Sequence, residues 1–299
     1  MTASNATQPR LCPQGAMRTD NGAVRPDNED CVCFVSPQPD DPAAARGNLM
    51  LVADGMGGHA AGEVASAIAA ETIRRVYYEL PGPVPHVLGS AFLAANVAIL
   101  DWANSNPECK GMGTTCTAVA IRDDQAWLGH IGDSRAYLLR DGVIRQLSND
   151  QTLVAQLVRE GKLTPEQAQN SPVSNVILQA LGSNVDIAPV VWSEPLRLEA
   201  NDVVVLCTDG LYGVVPDKAI AERAVSLAPD EACEALIKAA HAAGAPDNVS
   251  VGVFKLVSTA KLAGADGSAD FAGTTRRVKY VEDQSSDQDL GQTRNVSLS

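Results

Sequence analysis

TCTAVAIRDDQAWLGHIGDSRAYLLRDGVIRQL, residues 115–147, strings together four apolar runs: Thr115 to Ile121, Ala126 to His130, Arg135 to Arg140 and Val143 to Leu147. Only Arg122-Asp123-Asp124-Gln125 separates the first two, and Arg140-Asp141-Gly142 marks the turn between the last two. Links this short join strands only side by side and antiparallel, because a parallel crossover needs a dozen residues or more. The stretch therefore predicts antiparallel meanders, and the sheet is not simply βαβ.

Further strand-like runs lie at Cys31 to Val35, Leu49 to Ala53, Val203 to Cys207 and Val249 to Leu256. Helical periodicity runs from Gly62 to Leu80, with Ile73, Val76, Tyr77 and Leu80 on one stripe. It returns from Val87 to Asn104, with Leu88, Phe92, Ala95, Ile99 and Trp102. The intervening Pro81-Gly82-Pro83-Val84-Pro85 breaks these into an antiparallel pair. A second pair is expected from Pro216 to Val225 and from Asp230 to Ala243, ended by Gly244.

Between Asn149 and Ser183 the pattern is short and polar: a helix from Gln151 to Glu160, then the capping box Thr164-Pro165-Glu166-Gln167. That stretch is expected to be an inserted flap. Residues 1–15 are expected to be a flexible start and 16–257 the folded domain. From about Ser258 a Gly-, Ser-, Asp- and Gln-rich tail is expected to be disordered.

The 299 residues suffice for a large core, and 45% hydrophobic with 20% charged residues fits a globular protein. The net charge of −13 disfavours nucleic acid and anionic membrane as partners, since both need clustered Lys and Arg. The seven cysteines form no CxxC pair, and Cys31, Cys33, Cys116 and Cys207 sit in apolar runs, as buried thiols of a reducing cytoplasm do. The start lacks the blocks of a secretory signal, and no apolar stretch is expected to reach bilayer-spanning length.

Five aspartates recur where an apolar run meets glycine or a turn: Asp30 in NED, Asp54 in LVADGMGGH, Asp133 in IGDSR, Asp209 in LCTDG and Asp247 in APDNVS. Gathered carboxylates repel one another, so their convergence makes sense around divalent cations. Mg2+ or Mn2+ suit oxygen ligands, whereas zinc would want histidines and cysteines. A pair of such ions points to phosphate-ester hydrolysis. Any single Asp-Gly after a strand is more often a plain turn. Arg25, five positions before Asp30, reads equally as a phosphate clamp or a surface ion pair.

The order and spelling of the motifs resemble the metal-dependent Ser/Thr protein phosphatases of type 2C, in particular the bacterial members. The matching pieces are DNGAVR with NED, ADGMGGHAAGEVAS, GMGTTCTAV, HIGDSRAYLLRDG, LSNDQTLV, LCTDGLYGVV and APDNVSV, in family order from about residue 16 to 257. The resemblance implies an α+β fold, a four-layer α/β/β/α sandwich with two central antiparallel sheets flanked by helical pairs and a metal site at one end. It implies two Mn2+ or Mg2+ ions in the core site and a third, weaker one.

Carried over residue by residue, Asp54 would bridge two ions, the Gly55 carbonyl would serve the second, and Asp209 and Asp247 would complete the first. Glu29 and Asp30 would act through water, and Arg25 would bind substrate phosphate. Asp133, with Asp209, matches the third ion; an ordinary hairpin aspartate is its other reading. Many eukaryotic members carry a histidine directly after the Asp-Gly pair, where this chain has Met56. His59 is therefore either a proton donor or a residue fixing the glycine turn. His86, His130 and His241 read as surface or core residues.

The implied partners are phosphorylated proteins and a cognate Ser/Thr kinase, with the chain a cytoplasmic monomer that neither binds nucleic acid nor enters a membrane. Two rivals stand beside this reading. One is a GDS-type hydrolase with Ser134 as nucleophile; the other is a pseudophosphatase that binds phosphoproteins without turnover.

Overall fold

The computed structural model describes residues 11–57 and 61–258. Among them the strands are β1 (Leu11–Asp20), β2 (Asp30–Val35), β3 (Asn48–Met56), β4 (Gly113–Thr114), β5 (Cys116–Arg122), β6 (Gln125–Ile131), β7 (Arg135–Arg140), β8 (Val143–Gln146), β9 (Val190–Val191), β10 (Leu196–Arg197), β11 (Val203–Cys207) and β12 (Val249–Ser258). The helices are α1 (Ala61–Glu79), α2 (Val84–Ser105), α3 (Leu153–Arg159), α4 (Pro165–Gln169), α5 (Asp209–Tyr212), α6 (Asp217–Ser226) and α7 (Pro229–Ala242).

The four runs of residues 115–147 form two hairpins that part company. β5 and β6 belong to a sheet ordered β10-β6-β5-β3-β2, with β4 on β3 and β9 on β6; β7 and β8 belong to another, ordered β1-β12-β11-β7-β8. The joint Gly132-Asp133-Ser134 thus crosses from one sheet to the other. Gly132 has φ +100°, and a Cβ there would lie 2.5 Å from Thr115, so only glycine makes this crossing without displacing β5.

Both sheets are covered on both faces, which is why their central strands read as unbroken apolar runs rather than alternating ones. In β3, Leu49, Leu51 and Ala53 pack under α1 and α2, while Met50 and Val52 face the other sheet. In β11, Val203, Val205 and Cys207 face the α6–α7 side, while Val204 and Leu206 point inward. The inner layer also holds Phe34 and Phe254, whose rings meet edge to face at 4.8 Å. The layering is α/β/β/α.

Several expectations are corrected. The start is structured from Leu11, since β1 pairs with β12 from Leu11↔Ser258 to Asp20↔Val249. Pro13 and Gly15 hid that strand; β1 is an edge strand, where proline is tolerated, and the Phe254 ring occupies the place of a Gly15 Cβ. β3 runs on through Asp54 and Gly55 to Met56, because Gly55 and Met56 pair with β4. Trp102 is exposed rather than on the inner stripe of α2.

α2 itself, at 22 residues, is long and apolar enough by length and composition to cross a membrane. Val87, Leu88, Phe92, Ala95 and Ile99 on its inner side are fully buried in the helix-covered core, which accounts for that composition. The Thr164–Gln167 capping box forms in both directions, at 2.8 and 3.2 Å. All seven cysteines are free. The tail beyond Ser258 lies outside the described residues.

Candidate metal centre

Asp54 shares the inner face of β3 with Met50 and Val52, and its cross-strand partner on β2 is Asp30. From the opposite sheet, Asp209 opens α5 directly after β11, and Asp247 sits in the turn before β12. Asp133 lies in the inter-sheet joint. One end of the sandwich therefore collects carboxylates from five separate stretches of chain.

Asp54 and Asp209 come in from opposite sheets, and a side-chain hydrogen bond from Asp54 draws the Asp209 carboxyl down against the burial that raises it. Burial pushes Asp54 well above the usual carboxylate range, reinforced by Asp30, Asp209, Asp133 and Asp247. Burial, then the charge of Asp247, raises Asp209 as well. Burial lifts Asp30 to about 7, against hydrogen bonds from Ser250 and Thr208, and lifts Asp133 to about 7, with Asp209 and Asp150 adding to it. Such a cluster is strained until positive charge reaches it.

The donors fit a hard divalent cation. Thr208 Oγ1 and Ser250 Oγ donate to Asp30 Oδ2 at 2.8 and 2.7 Å, whereas the buried Oδ1 atoms of Asp30 and Asp133 have no hydrogen-bond partner. An unsatisfied buried oxygen costs roughly 1–3 kcal/mol. Among the described residues no three His, Cys, Asp or Glu side chains form a ready-made ligand group. Mg2+-like ions need only one or two carboxylates, with carbonyls, water and substrate phosphate completing the octahedron.

Gly55 belongs to this centre by its backbone. Its N–H donates to the Glu29 carbonyl at 3.1 Å, and a Cβ would lie 2.1 Å from the Gly62 carbonyl. Any side chain would push α1 off β3. Burial raises the Glu29 carboxyl, while the backbone of Gly62 and the charge of Arg25 draw it down.

Arg25 stands at the mouth, half exposed, with Nη2 2.7 Å from Asp247 Oδ2. Asn248, missed in the sequence although quoted in APDNVS, holds this rim together. Its Oδ1 accepts from Glu29 N at 2.9 Å, and its Nδ2 donates to the carbonyls of Asn21 and Asp27 at 3.0 and 2.9 Å. A buried asparagine after the last aspartate was the available signal.

Ser134 cannot serve as a nucleophile here. It is fully buried, its Oγ is 2.7 Å from Thr115 Oγ1, and its carbonyl accepts from Thr117 Oγ1. The His130 ring bonds Thr117 Oγ1 and the Asn149 carbonyl instead of Ser134. Arg135 pairs with Asp150 at 2.6 Å and lies 3.7 Å over the Tyr212 ring, whose hydroxyl donates to the Asp133 carbonyl at 3.1 Å. His241 meets Asp20 at 2.7 Å, and His86 is exposed. His59 lies outside the described residues.

Residues 40–249 match the family model described as protein phosphatase 2C, and the chain belongs to that family. It is 40% identical over 243 residues, 81% of this chain, to the serine/threonine protein phosphatase PstP of Mycobacterium tuberculosis, and spans 45% of that relative's length. It is 33% identical over 240 residues to the serine/threonine phosphatase stp of Listeria monocytogenes, covering 78% of this chain and 92% of the relative. The crystal structure of mycobacterial PstP superposes with TM-score 0.74 at 38% identity, covering 83% of this chain and 99% of that one. A structure of the PstP catalytic domain in complex with two manganese ions gives 0.72 at 38% identity, covering 83% of this chain and 99% of that one.

Proposed function

We propose that this chain is a metal-dependent serine/threonine protein phosphatase, hydrolysing phosphoserine and phosphothreonine esters on proteins. The observation that carries the reading is the approach of Asp54 and Asp209 from opposite sheets, in a buried acidic centre with Arg25 at its mouth. The family membership and the named relatives support it.

Asp54, the Gly55 carbonyl, Asp209 and Asp247 would hold two Mn2+ or Mg2+ ions, with Glu29 and Asp30 acting through water and Asp133 joining Asp209 at a third. The manganese in the PstP complex favours Mn2+. When bound, such ions supply Lewis acidity toward the phosphoryl oxygens and lower the pKa of water enough to furnish a nucleophile near neutral pH.

The chain's own residues do the rest. Arg25 orients the phosphate through its paired N–H donors, and Asn248 keeps the Arg25 and Glu29 loop in register with β12. Hydrolysis breaks the phosphorus–oxygen ester bond, puts the water oxygen on phosphorus and returns a proton to the departing Ser or Thr oxygen. His59 is our proposed source of that proton. We extend the reading to a cytoplasmic monomer whose substrates are made by a cognate Ser/Thr kinase.

The test is Mn2+- or Mg2+-dependent phosphate release from a phosphothreonine peptide, repeated with chelator and with Asp209→Asn. Turnover without metal would overturn the proposal. Binding of phosphopeptide without turnover in saturating Mn2+ would favour the pseudophosphatase, a reading that the intact Asp54, Asp209 and Asp247 count against.

A further inference from the structure

Beside the acidic centre a cleft of about 220 Å3 opens between strand β3 and the 149–183 flap. Met56, Ile177, Leu178 and Ala180 line it together with the uncharged polar side chains of Gln179 and Ser183. We propose that this cleft is a substrate subsite, taking an uncharged apolar side chain about two residues from the phosphorylated one. The inference rests on the phosphatase reading and specifies which phosphoproteins it acts on.

Position comes first. Asp54 and Met56 are alternate residues of β3, so they share a face and lie about 7 Å apart along the strand. An extended peptide covers that distance in two residues. A substrate with its phosphate over Asp54 therefore brings a side chain two positions away to Met56.

Chemistry points the same way. Residues 168–185 contain no Asp, Glu, Lys, Arg or His, in a chain where 20% of residues are charged. Val173, Val176 and Leu178, in the same segment, are exposed large apolar residues. Clustered exposed apolar groups mark a surface that another chain covers. With a water molecule occupying about 30 Å3 of liquid, the cleft has room for an aliphatic side chain.

The walls are also held in place. Leu178 N–H donates to the Gln151 carbonyl at 2.8 Å. Gln151 in turn clasps Gly132, its N–H donating to the Gly132 carbonyl at 2.8 Å and its Oε1 accepting the Gly132 N–H at 2.9 Å. Thr114 and Leu181 exchange backbone hydrogen bonds at 3.0 and 2.9 Å. The cleft is thereby fixed both to the joint bearing Asp133 and to the strand paired with Gly55, so little ordering is left for a peptide to impose.

The experiment uses the full chain in Mn2+ with p-nitrophenyl phosphate and phosphothreonine peptides carrying Leu, Asp or Lys at each of three positions on either side. The expected result is a preference for Leu over Asp of about tenfold in kcat/KM at a single position two residues from phosphothreonine. Leu178→Glu, at an exposed position, should abolish the preference for Leu and favour Lys, while p-nitrophenyl phosphate turnover stays unchanged. Leu178→Ser should weaken the Leu preference without creating one for Lys. A flat profile in the parent chain, or an unaltered profile in Leu178→Glu, with p-nitrophenyl phosphate still hydrolysed, would overturn the subsite alone. Failure to hydrolyse either substrate would overturn the phosphatase reading and the subsite with it.

Discussion

Arg25 and Asp247 are joined at 2.7 Å across the mouth of the acidic centre, so the guanidinium we propose for substrate phosphate already holds a carboxylate. An incoming phosphate competes with Asp247 for it. Because the pair is half exposed, its contribution to stability is about 0–1 kcal/mol. Arg25→Ala should therefore leave the thermal midpoint almost unmoved and raise KM for p-nitrophenyl phosphate about tenfold, with a smaller effect on kcat. Steady-state kinetics beside a melting curve check this; an unchanged KM would remove Arg25 from the phosphate site.

Asp30 and Asp133 carry folded pKa values near 7 against 3.8 for the free side chain. A raised carboxyl pKa means that the folded state binds the proton more tightly than the unfolded one. That stabilisation is present in full below about pH 4 and is lost as pH rises through 7. In chelator, the wild-type midpoint should fall across this window more steeply than that of Asp133→Asn, which stays neutral throughout. Equal slopes in the two proteins would contradict the assignment. At pH 7, Mn2+ at a hundred times its dissociation constant should restore about 2.7 kcal/mol.

Asp209→Asn removes one of the negative charges that raise the buried Asp54 carboxyl. The metal-free variant should melt higher than wild type at pH 7, yet lose more than about a hundredfold in metal-dependent turnover. Asp133→Asn is the contrasting case. Calorimetric titration should still count two Mn2+ ions per chain, with any third, weaker event gone. Loss of the two tight sites would move Asp133 into the core set.

The sequence disclosed the aspartates because each interrupts an apolar run, and glycine beside Asp54 and Asp209 made the strand ends visible. It disclosed the two hairpins of residues 115–147 through their turns. It could not disclose that the hairpins belong to different sheets, because pairing between β7 and β11 depends on residues 64 or more apart in the chain. β1 was hidden by Pro13 and Gly15, whose purposes are an edge position and the Phe254 ring. Thr208 and Ser250 carry no local signal at all; each matters for Asp30 on a distant strand.

Ser134→Ala tests the alternative nucleophile directly. Its hydroxyl only meets Thr115 Oγ1, which also accepts the Asp54 N–H at 3.1 Å. The variant should lose about 1 kcal/mol of stability and stay within a few-fold of wild-type turnover. A loss of a thousandfold or more would reinstate Ser134.

The clasp of Asp30 by Thr208 and Ser250 has a consequence for how the two sheets find each other. A one-residue slip of β2 against β3 would turn Asp30 under α1 and present the Cys31 thiol to those two hydroxyls. The inner layer is otherwise nearly all hydrocarbon, which would tolerate such a shift. A cation bound at the proposed site would thus proofread strand alignment, since only a chain with β2 in its proper frame offers Asp30 and Asp54 side by side.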